Sequence, residues 1–165
     1  MNLAKPNQSI TSSANGNNMQ LQRAIEAAVP AAVEQTKGIA RQFKGDTPRQ
    51  TAFNIFNYLK TRIKYKADDA HQKIKLPSAL LRTRVGDCKS YALFTAAVLQ
   101  NLKIPYRFTY ASYNPMNKEP EHVYITTDSG YIIDAVWGKF NSEKKAAHKF
   151  NRKISGCSCN PLLKI

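Results

Sequence analysis

The chain has 165 residues, of which 42% are hydrophobic and 22% charged. That is the size and make-up of one globular domain, and it excludes wholesale disorder, collagen-like or coiled-coil chains and small disulfide scaffolds. Lys and Arg number 25 against 11 Asp and Glu, a net charge of +14, so the protein is drawn to anionic polymers such as nucleic acid, anionic lipid or acidic cell-envelope material.

Residues 1–18 are rich in Asn, Ser, Gln and Gly and read as a disordered leader. From Met19 to Phe43, apolar residues including Leu21, Ile25, Val29, Ala32, Val33, Ile39 and Phe43 recur at spacings of three and four. That period predicts an amphipathic helix, kinked or split by Pro30. Thr47-Pro48-Arg49-Gln50 opens a second helix, with Thr47 as N-cap, Pro48 at the first position and Gln50 completing a capping box. Ala52, Phe53, Phe56, Leu59 and Ile63 form its buried stripe. Residues 66–86 read as loop with a short helix near Pro77–Leu81.

A mostly apolar helix follows from Cys88 to Leu102, ended by Ile104-Pro105. Tyr106–Ser112 alternates as a strand. Glu121–Thr127 and Tyr131–Ala135 read as two more strands joined by Asp128-Ser129-Gly130, a hairpin signal. Helices first and a small antiparallel sheet afterwards give an α+β fold. Residues 138–165 carry seven Lys or Arg against one Glu and read as a basic extension. The expected organisation is a leader over 1–18, one domain over 19–136 and a basic extension over 137–165.

The cysteines are Cys88, Cys157 and Cys159, and an odd count argues against a structural disulfide framework. Cys157 and Cys159 lack a second pair at zinc spacing. No apolar run reaches about 18 residues and no secretory h-region opens the chain, so the cytoplasm is the default compartment. A virion is the other compartment considered.

Cys88 follows a Gly-Asp turn and begins a helix. A thiol there sees the positive end of the helix dipole, which favours thiolate. First-turn N–H groups have no partner within the helix and can hold an oxyanion. His122 and Asp134 lie on successive strands. With a three-residue loop, Thr127 pairs with Tyr131, His122 faces Val136 and Asp134 faces Tyr124. Positions 122 and 134 are then diagonal neighbours on one face, about 7–8 Å apart along the backbone. A two-residue loop would put them on opposite faces. Gly130 suits the left-handed position of the longer loop.

The run Leu80-Leu81-Arg82-Thr83-Arg84-Val85-Gly86-Asp87-Cys88-Lys89-Ser90-Tyr91-Ala92, with Leu102-Lys103-Ile104-Pro105-Tyr106-Arg107, resembles the nucleophile segment of transglutaminase-like proteins. Glu121-His122-Val123-Tyr124-Ile125 and Gly130-Tyr131-Ile132-Ile133-Asp134 resemble that family's His and Asp strands. The resemblance covers roughly residues 51–136. It implies a papain-like α+β core, with the Cys-bearing helix packed on a small antiparallel sheet. It also implies a triad of Cys88 as nucleophile, His122 as general base then acid, and Asp134 as orienting carboxylate. Two positions depart from the family: Lys89 stands where an acidic residue is common, and Tyr124 where many members have Trp. Tyr65 and Gln72 are both open as a second oxyanion donor.

The implied chemistry is acyl transfer from an amide of a protein, a peptide or a peptidoglycan-like polymer, with hydrolysis favoured and no metal or organic cofactor required. Glutamine–lysine crosslinking is the alternative. A catalytically silent binding or structural protein, phage or virion proteins included, and a basic nucleic-acid module are further readings.

Overall fold

The computed structural model describes residues 10–11, 18–68 and 72–154. Cys157 and Cys159, and most of the expected leader, lie outside the described residues. In chain order the elements are β1 (Ile10–Thr11), α1 (Asn18–Ala27), α2 (Val29–Thr36), α3 (Pro48–Arg62), β2 (Lys64–Tyr65), β3 (Lys73–Ile74), α4 (Pro77–Thr83), β4 (Val85–Gly86) and α5 (Cys88–Asn101). The sheet strands follow: β5 (Tyr106–Ser112), β6 (His122–Thr127), β7 (Ile132–Ile133) and β8 (His148–Arg152).

The long N-terminal helix expected over 19–43 is three pieces. It breaks between Ala27 and Val29 beside Pro30, and again after Thr36, before a 3-10 turn over Ala40–Phe43. Thr36 is buried and turns its hydroxyl back to the Ala32 carbonyl, 2.9 Å away. Such back-bonding competes with the helix ladder, and Gly38 follows at once. α3 begins as its sequence indicates: the Gln50 N–H donates to Thr47 Oγ1 at 3.1 Å. The capping box is one-sided, because the Gln50 side chain turns forward and donates to Asn54 Oδ1 at 2.9 Å.

α5 is the axis of the molecule. Every residue from Lys89 to Leu99 is buried. A helix apolar all round has no solvent face and must be enclosed. α2 and α4 cover one side of it, and β5 and β6 the other. Phe94, wholly buried, meets Phe43 edge-on at 5.6 Å and stacks on Tyr58 at 5.9 Å. Burying one such ring stabilises by about 2–3 kcal/mol. At the helix end Lys103 takes a positive φ of 57°, letting Ile104 N–H reach the Leu99 carbonyl before Pro105 turns the chain into β5.

The main sheet has four antiparallel strands in the order β7-β6-β5-β8. β6 pairs with β7 through Ile125–Ile133 and Thr126–Ile132, the register of a three-residue loop. Gly130 holds φ +96°, and its N–H closes the turn on the Thr127 carbonyl. β8 falls in the stretch read as a basic extension and forms the sheet edge beside β5. Its HKFNR sequence carries no apolar run, because the strand is largely exposed. Two small pairs complete the frame: β2 with β4 in parallel, and β1 with β3 antiparallel. The fold is α+β, with helices on one side of a small antiparallel sheet.

Candidate active site

The nucleophile candidate is set by the helix start. Asp87 caps α5: its Oδ1 accepts from the Ser90 N–H at 3.0 Å and from Ser90 Oγ at 2.9 Å. Cys88 is therefore the first residue of the helix, where a side-chain carboxylate suits the positive end of the dipole. Gly86 precedes the cap on β4, and a Cβ there would run into Leu80 and Ser90. The Gly-Asp-Cys run thus has a mechanical basis in close packing, capping and helix start. Cys88 itself is half-buried, with a free thiol.

His122 opens β6 opposite Ala111, and Asp134 lies just past β7. The observed hairpin register puts them on one face. His122 Nε2 and Asp134 Oδ2 are 2.7 Å apart, with side chains only 5% and 1% exposed. Asp134 Oδ1 accepts from the Val136 N–H at 3.3 Å, so both carboxylate oxygens are engaged. With Nε2 facing Asp134, Nδ1 is the nitrogen left for the thiol side. Burial pulls the imidazole pKa down, but hydrogen bonds to Asp134 and Cys88, with their charges, overcome it and raise the pKa to about 9. At neutral pH the ring holds its proton. Cys88, His122 and Asp134 are thereby brought together from the start of a helix, the start of a strand and the residue after β7.

A small cleft of about 50 Å³ opens beside the sulfur, lined by Cys88, His122, Gln72, Leu21, Ile25 and Val123. Both side chains left open as second oxyanion donors are nearby. Gln72 is a wall of the cleft. Tyr65 is 41% exposed and packs edge-on against Tyr91 at 6.0 Å. Burial of its hydroxyl and the neighbouring charges of Cys88, Asp87 and Asp134 push its pKa up to about 12.

The aromatic surroundings of His122 escaped sequence reasoning, although Tyr124 stands out in the sequence as a departure from the family. Three rings shelter His122: Tyr124 stacked at 5.6 Å, Trp137 edge-on at 5.7 Å and Tyr113 at 6.2 Å. The Tyr124 hydroxyl donates to Glu143, which also binds Lys149 at 2.8 Å. Lys144 lays its ammonium over Tyr113, 4.3 Å from the ring centre, and over Trp137 at 5.5 Å. Only the β5–β6 register, with Ala111 opposite His122, could have placed Tyr113 beside the imidazole. Lys89, singled out only as a departure from a family pattern, is buried against Asp87 and Asp68.

Among the described residues, no three His, Cys, Asp or Glu side chains gather as a metal site. No helix among them is long and apolar enough to cross a membrane.

A family model described as the transglutaminase-like superfamily matches residues 37–150. The chain is also 30% identical over 95 residues to the UPF0252 protein MJ1282 of Methanocaldococcus jannaschii, a match covering 52% of this chain and 27% of that protein. A crystal structure of a proposed cysteine protease from Cytophaga hutchinsonii aligns with 62% of this chain and 37% of its own, at 16% identity and a TM-score of 0.47.

Proposed function

Because the chain belongs to the transglutaminase-like superfamily, we propose that it is a cysteine peptidase or amidase that cleaves amide bonds through Cys88, His122 and Asp134. The observation that carries this reading is the His122 imidazole, held at 2.7 Å by Asp134 and lining the same cleft as Cys88 at the head of α5. A nucleophile, a base within reach and a third group fixing the base are the parts that acyl transfer requires.

With its proton already on His122, the Cys88 sulfur bonds to the carbonyl carbon, and the carbonyl oxygen takes the negative charge. N–H groups of the first turn of α5 stabilise that oxygen. The His122 ring gives its proton to the departing nitrogen, the C–N bond breaks, and a thioester on Cys88 remains. A water molecule then loses a proton to His122 and attacks the thioester, which releases the acid and frees the sulfur. Cys88 is half-buried and opens on the cleft, which gives water a route to the thioester. Asp134 keeps the ring oriented and offsets its positive charge.

One observation favours a second reading, transfer to a lysine amine. The rings of Tyr113 and Trp137 that flank His122 already accept the Lys144 ammonium, and such faces attract cations. A peptide-amide library, turned over with and without an added primary amine, separates the two. A free acid, with ammonia from a primary amide or a new amino terminus from a peptide bond, supports hydrolysis, and adducts of the added amine support transfer. Turnover that persists in Cys88→Ala refutes both.

A further inference from the structure

The residue after the nucleophile is a buried cation. Lys89 is 4% exposed, although lysine is among the residues least often buried. Its Nζ contacts Asp87, the cap of α5; it donates to Gln72 Oε1 at 2.8 Å and lies 3.3 Å from Asp68. Asp68 in turn accepts from the Lys73 N–H at 2.6 Å. One ammonium thus joins the nucleophile's own helix cap to the arm that carries Asp68, Gln72 and β3. Burying an ammonium costs several kcal/mol unless it is paired. The partners gathered here supply that pairing, and two of them lie on the arm rather than on α5.

The chemistry of the contact fixes an orientation. Lys89 can only donate, so the Gln72 oxygen must face it. The planar amide then directs its N–H groups away from Lys89. Gln72 is also a wall of the cleft that holds Cys88 and His122. Resting on the acyl-transfer reading above, we infer that Lys89 is a positioning residue which turns the Gln72 amide N–H toward the substrate carbonyl oxygen at Cys88. Gln72 is then the second oxyanion donor, beside the backbone N–H groups of α5, and Tyr65 is not. An aliphatic residue at position 89 would lose both the grip on the arm and the orientation of the amide.

Two reactions of Cys88 separate this role from a merely structural one. Acylation by p-nitrophenyl acetate passes through an oxyanion, whereas alkylation by iodoacetamide does not. Lys89→Met and Gln72→Met should each slow the p-nitrophenolate burst by about 10²-fold, the order seen on removing one oxyanion donor. Iodoacetamide rates should stay within about 3-fold, and the double variant should be no slower than either single one, as for residues acting as a unit. Gln72→Met removes no buried charge, so it keeps the test sharp if Lys89→Met does not fold. A native-like burst in Gln72→Met overturns the proposal, as does a large loss in Tyr65→Phe with none in Gln72→Met. A parallel fall of both reactions in Lys89→Met would make Lys89 a structural residue only. A native protein with no burst and no selective alkylation at Cys88 would instead remove the catalytic reading beneath the proposal.

Discussion

Replacing Asp134 by Asn removes the charge that keeps the proton on His122 while preserving the size of the side chain. The His122 side chain is 5% exposed, and its pKa is raised from 6.5 to about 9. At about 1.4 kcal/mol per pH unit, that gap corresponds to roughly 3 kcal/mol of stability. A raised pKa in the folded state fixes the sign. The stabilisation is complete below the unfolded value of 6.5 and is lost as pH climbs through about 9. In Asp134→Asn, burial is opposed mainly by the contact with Cys88, so the ring loses its proton at lower pH and this loss of stability flattens. Urea unfolding at pH 6, 7.5 and 9 measures the difference, and NMR titration of the ring protons gives the pKa directly. Between pH 6 and 9 the native protein should lose roughly 3 kcal/mol more than the variant. Equal slopes in the two proteins, or a native ring that titrates near 6.5, would refute the electrostatic account of the pair.

Activity should share that titration. The proton that His122 gives to the leaving amine is gone above about pH 9, so kcat should fall on the alkaline side, and the fall should move to lower pH in Asp134→Asn; a limb that does not move in a pH–rate profile contradicts this. Gly86→Ala forces a methyl group against the fully buried Leu80 and against Ser90. It should cost about 1–3 kcal/mol in urea unfolding and slow the labelling of Cys88, because β4 sets the helix start. Phe94→Ala empties the space between Phe43 and Tyr58 and should cost about 3–5 kcal/mol. A loss below about 1 kcal/mol would mean that the core is organised differently.

Much of the site is legible in the sequence because short-range rules fix it. Gly130 demands a left-handed turn, the turn fixes the register, and the register puts His122 and Asp134 on one face. A Gly-Asp turn before an apolar run announces the helix start and the place of Cys88, while the capping by Asp87 is a feature of the folded chain. What the sequence hides depends on distant partners. β8 is a polar edge strand whose only signal is its neighbour β5, and the two-residue parallel pairing of β2 with β4 has no periodicity to read. The break after Thr36 is decided by a side chain that bonds its own backbone, against an apolar period that runs on to Phe43. Lys89 looks like an ordinary charged residue until Gln72 and Asp68, 17 and 21 positions earlier, are folded over it.

The central claim is that one sulfur carries the acyl group and one imidazole moves the proton. Acid-quenching the protein during turnover of a peptide amide, followed by peptide mapping, measures this directly. A thioester should be found on Cys88 alone in the native protein, be absent from Cys88→Ala, and form at least about 10²-fold more slowly in His122→Ala. Turnover with no adduct on Cys88, or an adduct that forms at the native rate without His122, would contradict the account.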